Sequence, residues 1–258
     1  MYLSHYKDIK DFLDEKYQKY NCPEYIDTDP IQIPHLFSKQ ENIEISAFLT
    51  ATIAWGQRKT IINNSKHLIN FMDNNPYDFI INAKNKDFKR FGNFKHRTFN
   101  GEDCIYFLFS LQNIYKKYGG LKKIFEDNVI KTNNVKNAII FFRKIFFELP
   151  YPQRTQKHIA DITKNSSAKR INMFLRWMVR KDDFGVDFGI WNKIPSSLLF
   201  IPLDVHCGRI ARKLNLLSRK QNDWKAVEEL TDVLKQLDIK DPVKYDFALF
   251  GLGVFENF

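Results

Sequence analysis

The sequence predicts an all-helical protein, on three observations. Apolar residues recur at three- and four-residue spacing through most of the chain, with polar residues filling the gaps. Strand-like alternation is hard to find. The composition, 44% hydrophobic with 24 Phe, 11 Tyr and 4 Trp in 258 residues, supplies a large core, because aromatic side chains dominate buried area wherever they sit inside. Only 10 Gly and 9 Pro occur, which excludes a collagen-like chain or a linker.

Taken in order, the first clear element begins near Asn42, where Ile43 and Ile45 alternate before Phe48, Leu49, Thr52 and Ile53 adopt helical spacing up to Trp55-Gly56. A helix is predicted over 59–73, with Ile61, Ile62, Leu68, Ile69 and Met72 apolar. Asn74-Asn75-Pro76 stops it, since proline disfavours a helical residue before it and lacks an N–H of its own. Further helices are predicted over 76–82, 101–118, 120–127 and 135–147, and Leu149-Pro150-Tyr151-Pro152 is a break. The last four, 169–180, 205–216, 223–236 and 242–255, each open at a polar residue or proline suited to a helix start. Residues 84–97 lack periodicity and carry Lys84, Lys86, Lys89, Arg90, Lys95 and Arg97 against Asp87, which predicts a basic loop. No internal repeat or low-complexity stretch is present.

With 40 Lys and Arg against 30 Asp and Glu, the net charge is +10. Such an excess points first to a polyanion such as nucleic acid, and otherwise to solubility alone. Three cysteines, Cys22, Cys104 and Cys207, are too scattered for a disulfide framework and too few for a four-thiolate iron–sulfur cluster. No uncharged apolar run is long enough to span a membrane, and the opening residues lack the apolar block of a signal peptide. A cytoplasmic protein with no membrane partner is expected. There is no phosphate-binding loop, no dinucleotide glycine fingerprint and no serine nucleophile elbow. Asp204, His206 and Cys207 do not form a metal set, because neighbours on a helix point apart.

Two segments carry the chemistry. From Lys164 to Lys181 the basic residues are Lys164, Lys169, Arg170, Arg176, Arg180 and Lys181, with no acidic residue among them. On a helix starting at Lys169, that lysine shares a face with Arg176 and Arg180, while Ile171, Phe174, Leu175 and Met178 turn inward. A solvated basic face has the same pattern. The second segment is Ile201-Pro202-Leu203-Asp204-Val205-His206, where Asp204 occupies a helix N-cap and faces the positive end of the helix dipole. A purely structural cap would read identically.

The stretch Ser166-Ser167-Ala168-Lys169-Arg170-Ile171, followed by Ile201 to His206, resembles the catalytic core of the helix-hairpin-helix DNA glycosylases. In that family a lysine opens the second helix of the hairpin, and an aspartate follows in a Pro-Val-Asp-type segment capping the next helix. The whole chain also resembles an uncharacterised bacterial family with blocks matching Arg176–Arg180, Pro202–Asp204 and Asp241–Leu249, itself most similar to the archaeal branch of 8-oxoguanine DNA glycosylases. The long spacing between Lys169 and Asp204 is similar to that branch, and the extra residues 181–197 are predicted as a loop. Where the family reads Gly-x-Gly-x-Lys, this chain has Asn165, Ser167 and Lys169. Asn accepts a left-handed backbone more readily than Ser, so an altered phosphate-binding turn is expected.

The resemblance implies a two-lobed helix-hairpin-helix DNA glycosylase-like fold, a single compact unit with one lobe over about 44–165 and another over 1–43 plus 166–258. It implies a DNA repair glycosylase with abasic-site lyase activity that excises an oxidised purine such as 8-oxoguanine. Lys169 would be the nucleophile and Asp204 the electrostatic and proton-transfer partner. The amine must be neutral part of the time, which burial or the neighbouring cations Arg170 and Arg176 would favour. Asn165, Ser166, Ser167 and Ala168, with Arg170 and His206, would face DNA. An extruded base needs flat surfaces and a polar reader, and Trp55, Gln57, Arg176, Asp246 and Phe250 match pocket positions of the archaeal branch, which has Trp where this chain has Phe250. Trp55 and Phe250 read equally as core, and Gln57 and Asp246 as caps or surface groups. The expected partner is double-stranded DNA with a damaged base, bound by a monomer without metal or small-molecule cofactor. The alternative is a non-catalytic DNA-binding protein of the same fold.

Overall fold

The computed structural model describes residues 2–256 and 258, and of residues 2–6 the helical backbone alone. Its α-helices are α1 (Tyr2–Tyr20), α2 (Pro23–Thr28), α3 (Gln40–Thr52), α4 (Arg58–Asn70), α5 (Pro76–Asn82), α6 (Gly101–Lys117), α7 (Leu121–Thr132), α8 (Val135–Phe146), α9 (Lys169–Val179), α10 (Val205–Lys213), α11 (Trp224–Leu237) and α12 (Tyr245–Phe255). Short 3-10 turns connect several of them. The two-residue strands β1 (Lys95–His96) and β2 (Phe99–Asn100) pair antiparallel. The protein is all-α in class. None of the described helices is long and apolar enough to cross a membrane.

Helix α1 lies outside the predicted elements, because it is strongly polar and its buried stripe is narrow: Leu13, Tyr17 and Tyr20. The predicted basic loop is partly ordered, with a 3-10 turn over Asp87–Phe91 and then the β1–β2 hairpin. Phe88 and Phe91 anchor that turn at 1% and 0% exposure, a local apolar spacing that the surrounding charges obscure.

The chain divides into two compact units, Met1–Tyr25 with Asp161–Phe258, and Ile26–Ala160. Residues 26–43 therefore fall with the unit containing α3 to α8, whereas the sequence reading places all of 1–43 in the other lobe. Ile31 and Ile33, both fully buried, explain the assignment, since the 3-10 turns around them pack on α3 and α4.

The unit 26–160 closes around phenylalanines. Phe48 on α3 contacts Phe107 of α6 at 6.0 Å and Phe142 and Phe146 of α8 at 5.6 and 5.8 Å between ring centroids. Phe107–Phe146 and Phe125–Phe142 extend the cluster at 4.7 and 5.0 Å. Each buried ring is worth about 1.5–3 kcal/mol of transfer free energy, and favourable ring pairs add about 0.5–1.5 kcal/mol.

In the other unit α12 is apolar on nearly every side and packs against both α1 and α10. Glycine permits the approach. A Cβ at Gly251 would lie 2.1 Å from the Tyr20 ring, and one at Gly253 would lie 3.0 Å from the His206 Cβ. This packing brings the start of α10 and the middle of α12 together, and α9 joins them through charged side chains.

Candidate active site

The hairpin is built from a 3-10 turn, Ile162–Lys164, and α9. Asp161 caps the turn by accepting from the Thr163 N–H at 3.1 Å. The backbone is left-handed at Asn165 (φ 64°) and at Ala168 (φ 51°). Ser167 stays outside that region, so the expected strain at Ser167 falls one residue later. Asn165 is held on three sides: it donates Nδ2–H to Asp223 Oδ2 at 2.8 Å, accepts the Lys225 N–H on Oδ1 at 3.3 Å, and its carbonyl accepts the Trp224 N–H at 3.2 Å. Ser166 pairs with Asp223 across an isolated antiparallel bridge. The hairpin turn is thus tied to the start of α11. Helix α9 begins at Lys169, and its N-cap Ala168 gives the first turn no side-chain hydrogen bond.

Lys169 is the first residue of α9 and is half-buried. Among the described residues its ammonium makes no hydrogen bond or ion pair. Asp204 is also half-buried and caps α10, its Oδ1 accepting the Cys207 N–H at 2.9 Å. Its carbonyl accepts from Asn222 Nδ2 at 3.0 Å. These two groups come from distant segments and meet electrostatically at a third, Asp246 of α12.

Asp246 is 6% exposed. Its Oδ2 pairs with the Arg176 guanidinium and its Oδ1 accepts the Cys207 thiol at 3.3 Å. Burial pushes the Asp246 carboxyl up to about 6; Asp204 adds to the rise, and Arg176, the Cys207 hydrogen bond and Lys169 oppose it. Burial, together with the anions of Asp204 and Asp246, raises the Cys207 thiol well above its ordinary range, while Lys169 pulls the other way. Cys207 is therefore a thiol donor here. The amine of Lys169 and the carboxylate of Asp204 both act on this one buried pair.

Arg176 and Arg180 do not form a solvated face. They are 3% and 0% exposed, and the inward-facing Ile171, Phe174, Leu175 and Met178 complete an α9 buried around most of its circumference. Arg176 bonds Asp187 Oδ1 at 3.3 Å, and Arg180 bonds Asp187 Oδ2 at 3.1 Å, Asp241 Oδ2 at 2.8 Å and the Tyr17 hydroxyl at 2.6 Å. Phe247 lies under both guanidiniums, at 4.2 and 5.3 Å. Burial raises the Asp187 and Asp241 carboxyls even beside these cations. The predicted loop 181–197 has no α-helix, yet it delivers the buried Asp187 and Trp191 to this network and core. Asp187 is absent from the sequence reading and Cys207 enters it as a dismissed metal ligand; an aspartate in a loop and one cysteine in a helix carry no spacing signal.

The remaining candidates separate by unit. Arg170 is half-buried, and desolvation draws its guanidinium down to about 10, which leaves it cationic at neutral pH. His206 is exposed on α10 with Phe250 of α12 edge-on at 6.3 Å. Trp55 and Gln57 belong to the unit 26–160, on the turn between α3 and α4. Trp55 stands edge-on to His96 at 4.9 Å and stacks on His158 at 6.0 Å. His96 Nε2 lies 3.1 Å from the Trp55 carbonyl, and His158 Nε2 lies 3.2 Å from the fully buried Asp103. Gly56, at φ 105°, makes the turn that a side chain would strain. Gln57 occupies the α4 N-cap, but its exposed amide does not cap the helix.

Among the described residues no group of three or more His, Cys, Asp or Glu is placed to hold a metal ion. A primary amine, a helix-capping carboxyl and a buried carboxyl of raised affinity for protons, set beside a helix start without a side-chain cap, can perform nucleophilic and proton-transfer chemistry on an anionic substrate. No curated protein and no solved structure matches the chain. Residues 29–255 match the family described as protein of unknown function (DUF2400), and the chain belongs to that family.

Proposed function

We propose that this protein is a DNA repair glycosylase and abasic-site lyase of helix-hairpin-helix type, acting on an oxidised purine such as 8-oxoguanine. The observation that supports it is the convergence of Lys169 and Asp204 on the buried Asp246–Arg176–Cys207 cluster, with a hairpin turn and an uncapped α9 immediately before Lys169.

In this reading the α9 N-terminus and the turn 165–168 bind a phosphate, and the damaged nucleotide leaves the stack. Asp204 stabilises the positive charge that develops on the sugar as the glycosidic bond breaks. The Lys169 ammonium gives up a proton and its amine bonds to C1′, the bond electrons leave with the base, and the base takes that proton. The C1′–O4′ bond then opens to give a protonated Schiff base. Removal of a C2′ proton expels the 3′-phosphate by β-elimination, and water finally releases Lys169. Arg176 is a positioning residue that holds Asp246, and Phe250 offers a stacking surface.

The test is incubation with duplex containing 8-oxoguanine or an abasic site, followed by borohydride. A trapped conjugate for the wild type that is lost in Lys169→Gln and at least about a hundredfold slower to form in Asp204→Asn supports the reading. Salt-sensitive DNA binding with no product at any lesion would instead favour the non-catalytic DNA-binding alternative, consistent with the non-glycine hairpin.

A further inference from the structure

A groove of about 680 Å³ lies along α10, lined by Val205, Arg209, Arg212, Lys213, Lys220 and Asn222. Four of its six residues are cationic and none is acidic. Basic side chains at a surface are commonplace, and three features set these apart.

The first is how the arginines are held. Arg209 donates to main-chain oxygens of Phe258 and Gly253 at 2.7 and 3.1 Å, and Arg212 donates to the Arg219 carbonyl at 2.8 Å and to Asn222 Oδ1 at 2.7 Å. The acceptors around Arg212 are neutral and fix its guanidinium without cancelling its charge. The nearby Arg219, by contrast, is paired with Asp223. The second feature is Gly208 in the interior of α10. A Cβ there would lie 2.6 Å from Asn222 Oδ1 and 2.9 Å from an Arg212 nitrogen. Glycine is disfavoured within a helix relative to alanine, and here it makes room for the groove wall. The third is continuity with the candidate site. Val205 directly follows Asp204, Asn222 bonds the Asp204 carbonyl, and its neighbour Asp223 bonds the hairpin residue Asn165. One loop thereby joins the groove, the catalytic carboxylate and the hairpin turn.

We propose that this groove seats consecutive phosphates of the DNA strand beside the extruded nucleotide. The inference rests on the glycosylase reading for which nucleotide is meant, but the groove itself is tested without any lesion. Phosphate neutralisation by Lys and Arg releases counterions, so it shows as the slope of log affinity against log salt concentration.

Equilibrium binding of the full-length protein to an undamaged duplex would be measured across salt concentrations. A variant combining Arg209→Gln, Lys213→Gln and Lys220→Gln is compared with one of equal charge change in the unit 26–160, Lys59→Gln with Lys86→Gln and Lys131→Gln. Gly208→Ala is the third variant, with no charge change, and helical content by circular dichroism confirms folding of each. The expected slope is shallower by about 1 for each phosphate no longer neutralised, about 3 in all, for the groove variant and changed little in the control. Gly208→Ala should weaken binding at fixed charge. Equal reductions of slope in the groove variant and the control would overturn the proposal in favour of diffuse attraction, as would wild-type protein that binds no duplex at low salt. A shallower slope confined to the groove variant, with no borohydride conjugate from a lesion duplex, would uphold the groove and remove the glycosylase reading; a conjugate with unchanged slopes would do the reverse.

Discussion

The two compact units of this protein differ in what organises their interiors, although both bury carboxylates, among them Asp103 and Glu44 in residues 26–160. Residues 26–160 are organised by a cluster of phenylalanines, with Phe107, Phe142 and Phe146 all fully buried. The remaining unit places Arg180 and Asp187 at similar depth, with Arg176 and Asp246 nearly so. An apolar cluster gains by leaving water, whereas a buried ion network recovers little beyond the desolvation of its charges and is fragile to removal of one partner. The difference lies in how the buried charges are connected: Arg176 and Arg180 link Asp187, Asp241 and Asp246 into one network beside Lys169 and Asp204.

The sharpest way to break the comparison is a pair of deletions. Phe146→Ala should destabilise by about 3–5 kcal/mol, equally at pH 5 and pH 8, because packing alone is removed. Arg180→Met should cost a similar ~3–5 kcal/mol at pH 8 by stranding Asp241 and leaving Asp187 to Arg176 alone. Those carboxyls are already raised by burial, so the native variant binds protons more tightly than its unfolded chain, and its deficit should shrink as pH falls. Urea denaturation at both pH values checks this; a pH-independent deficit in Arg180→Met would contradict the ionic interior.

Legibility in the sequence follows the same division. The helices over 76–82, 135–147 and 169–180 are readable because apolar spacing and a breaker mark both ends, and they coincide closely with α5, α8 and α9. The N-cap role of Asp204 is readable for the same local reason. The burial of Arg176 and Arg180 is not, since a helical stripe of cations looks solvated until Asp187, Asp241 and Asp246 arrive from remote loops and α12. Asn165 is legible as a left-handed residue, but the second left-handed position is not, because Ala168 has no chemistry that announces it.

A smaller effect sharpens the account of the site. Asp246 sits near 6, above an ordinary aspartate at 3.8, so the native state gains stability by holding this proton. That contribution is complete below about pH 4 and disappears as pH rises through 6, by up to about 3 kcal/mol. The stability of wild type relative to Asp246→Asn should fall over that window when followed by thermal or urea unfolding. A constant difference from pH 4 to pH 7 would show that Asp246 is not held this way.

The smallest expected effect is a gain. Ala168→Gly relieves a left-handed backbone that costs alanine about 1–2 kcal/mol, offset by the greater entropy of glycine when unfolded. A net stabilisation of about 0.5–1 kcal/mol is expected in equilibrium denaturation, and a destabilisation of that size would place the hairpin turn elsewhere.

The central claim, that one lysine amine and one carboxylate serve the same sugar carbon, is tested most directly by mapping the covalent attachment. Wild-type protein reduced with borohydride on an 8-oxoguanine duplex would be digested and the DNA-linked peptide sequenced by mass spectrometry. The account predicts attachment at Lys169, with yield falling sharply in Asp204→Asn. Attachment at another amine, or at Lys169 with undiminished yield in Asp204→Asn, would contradict it.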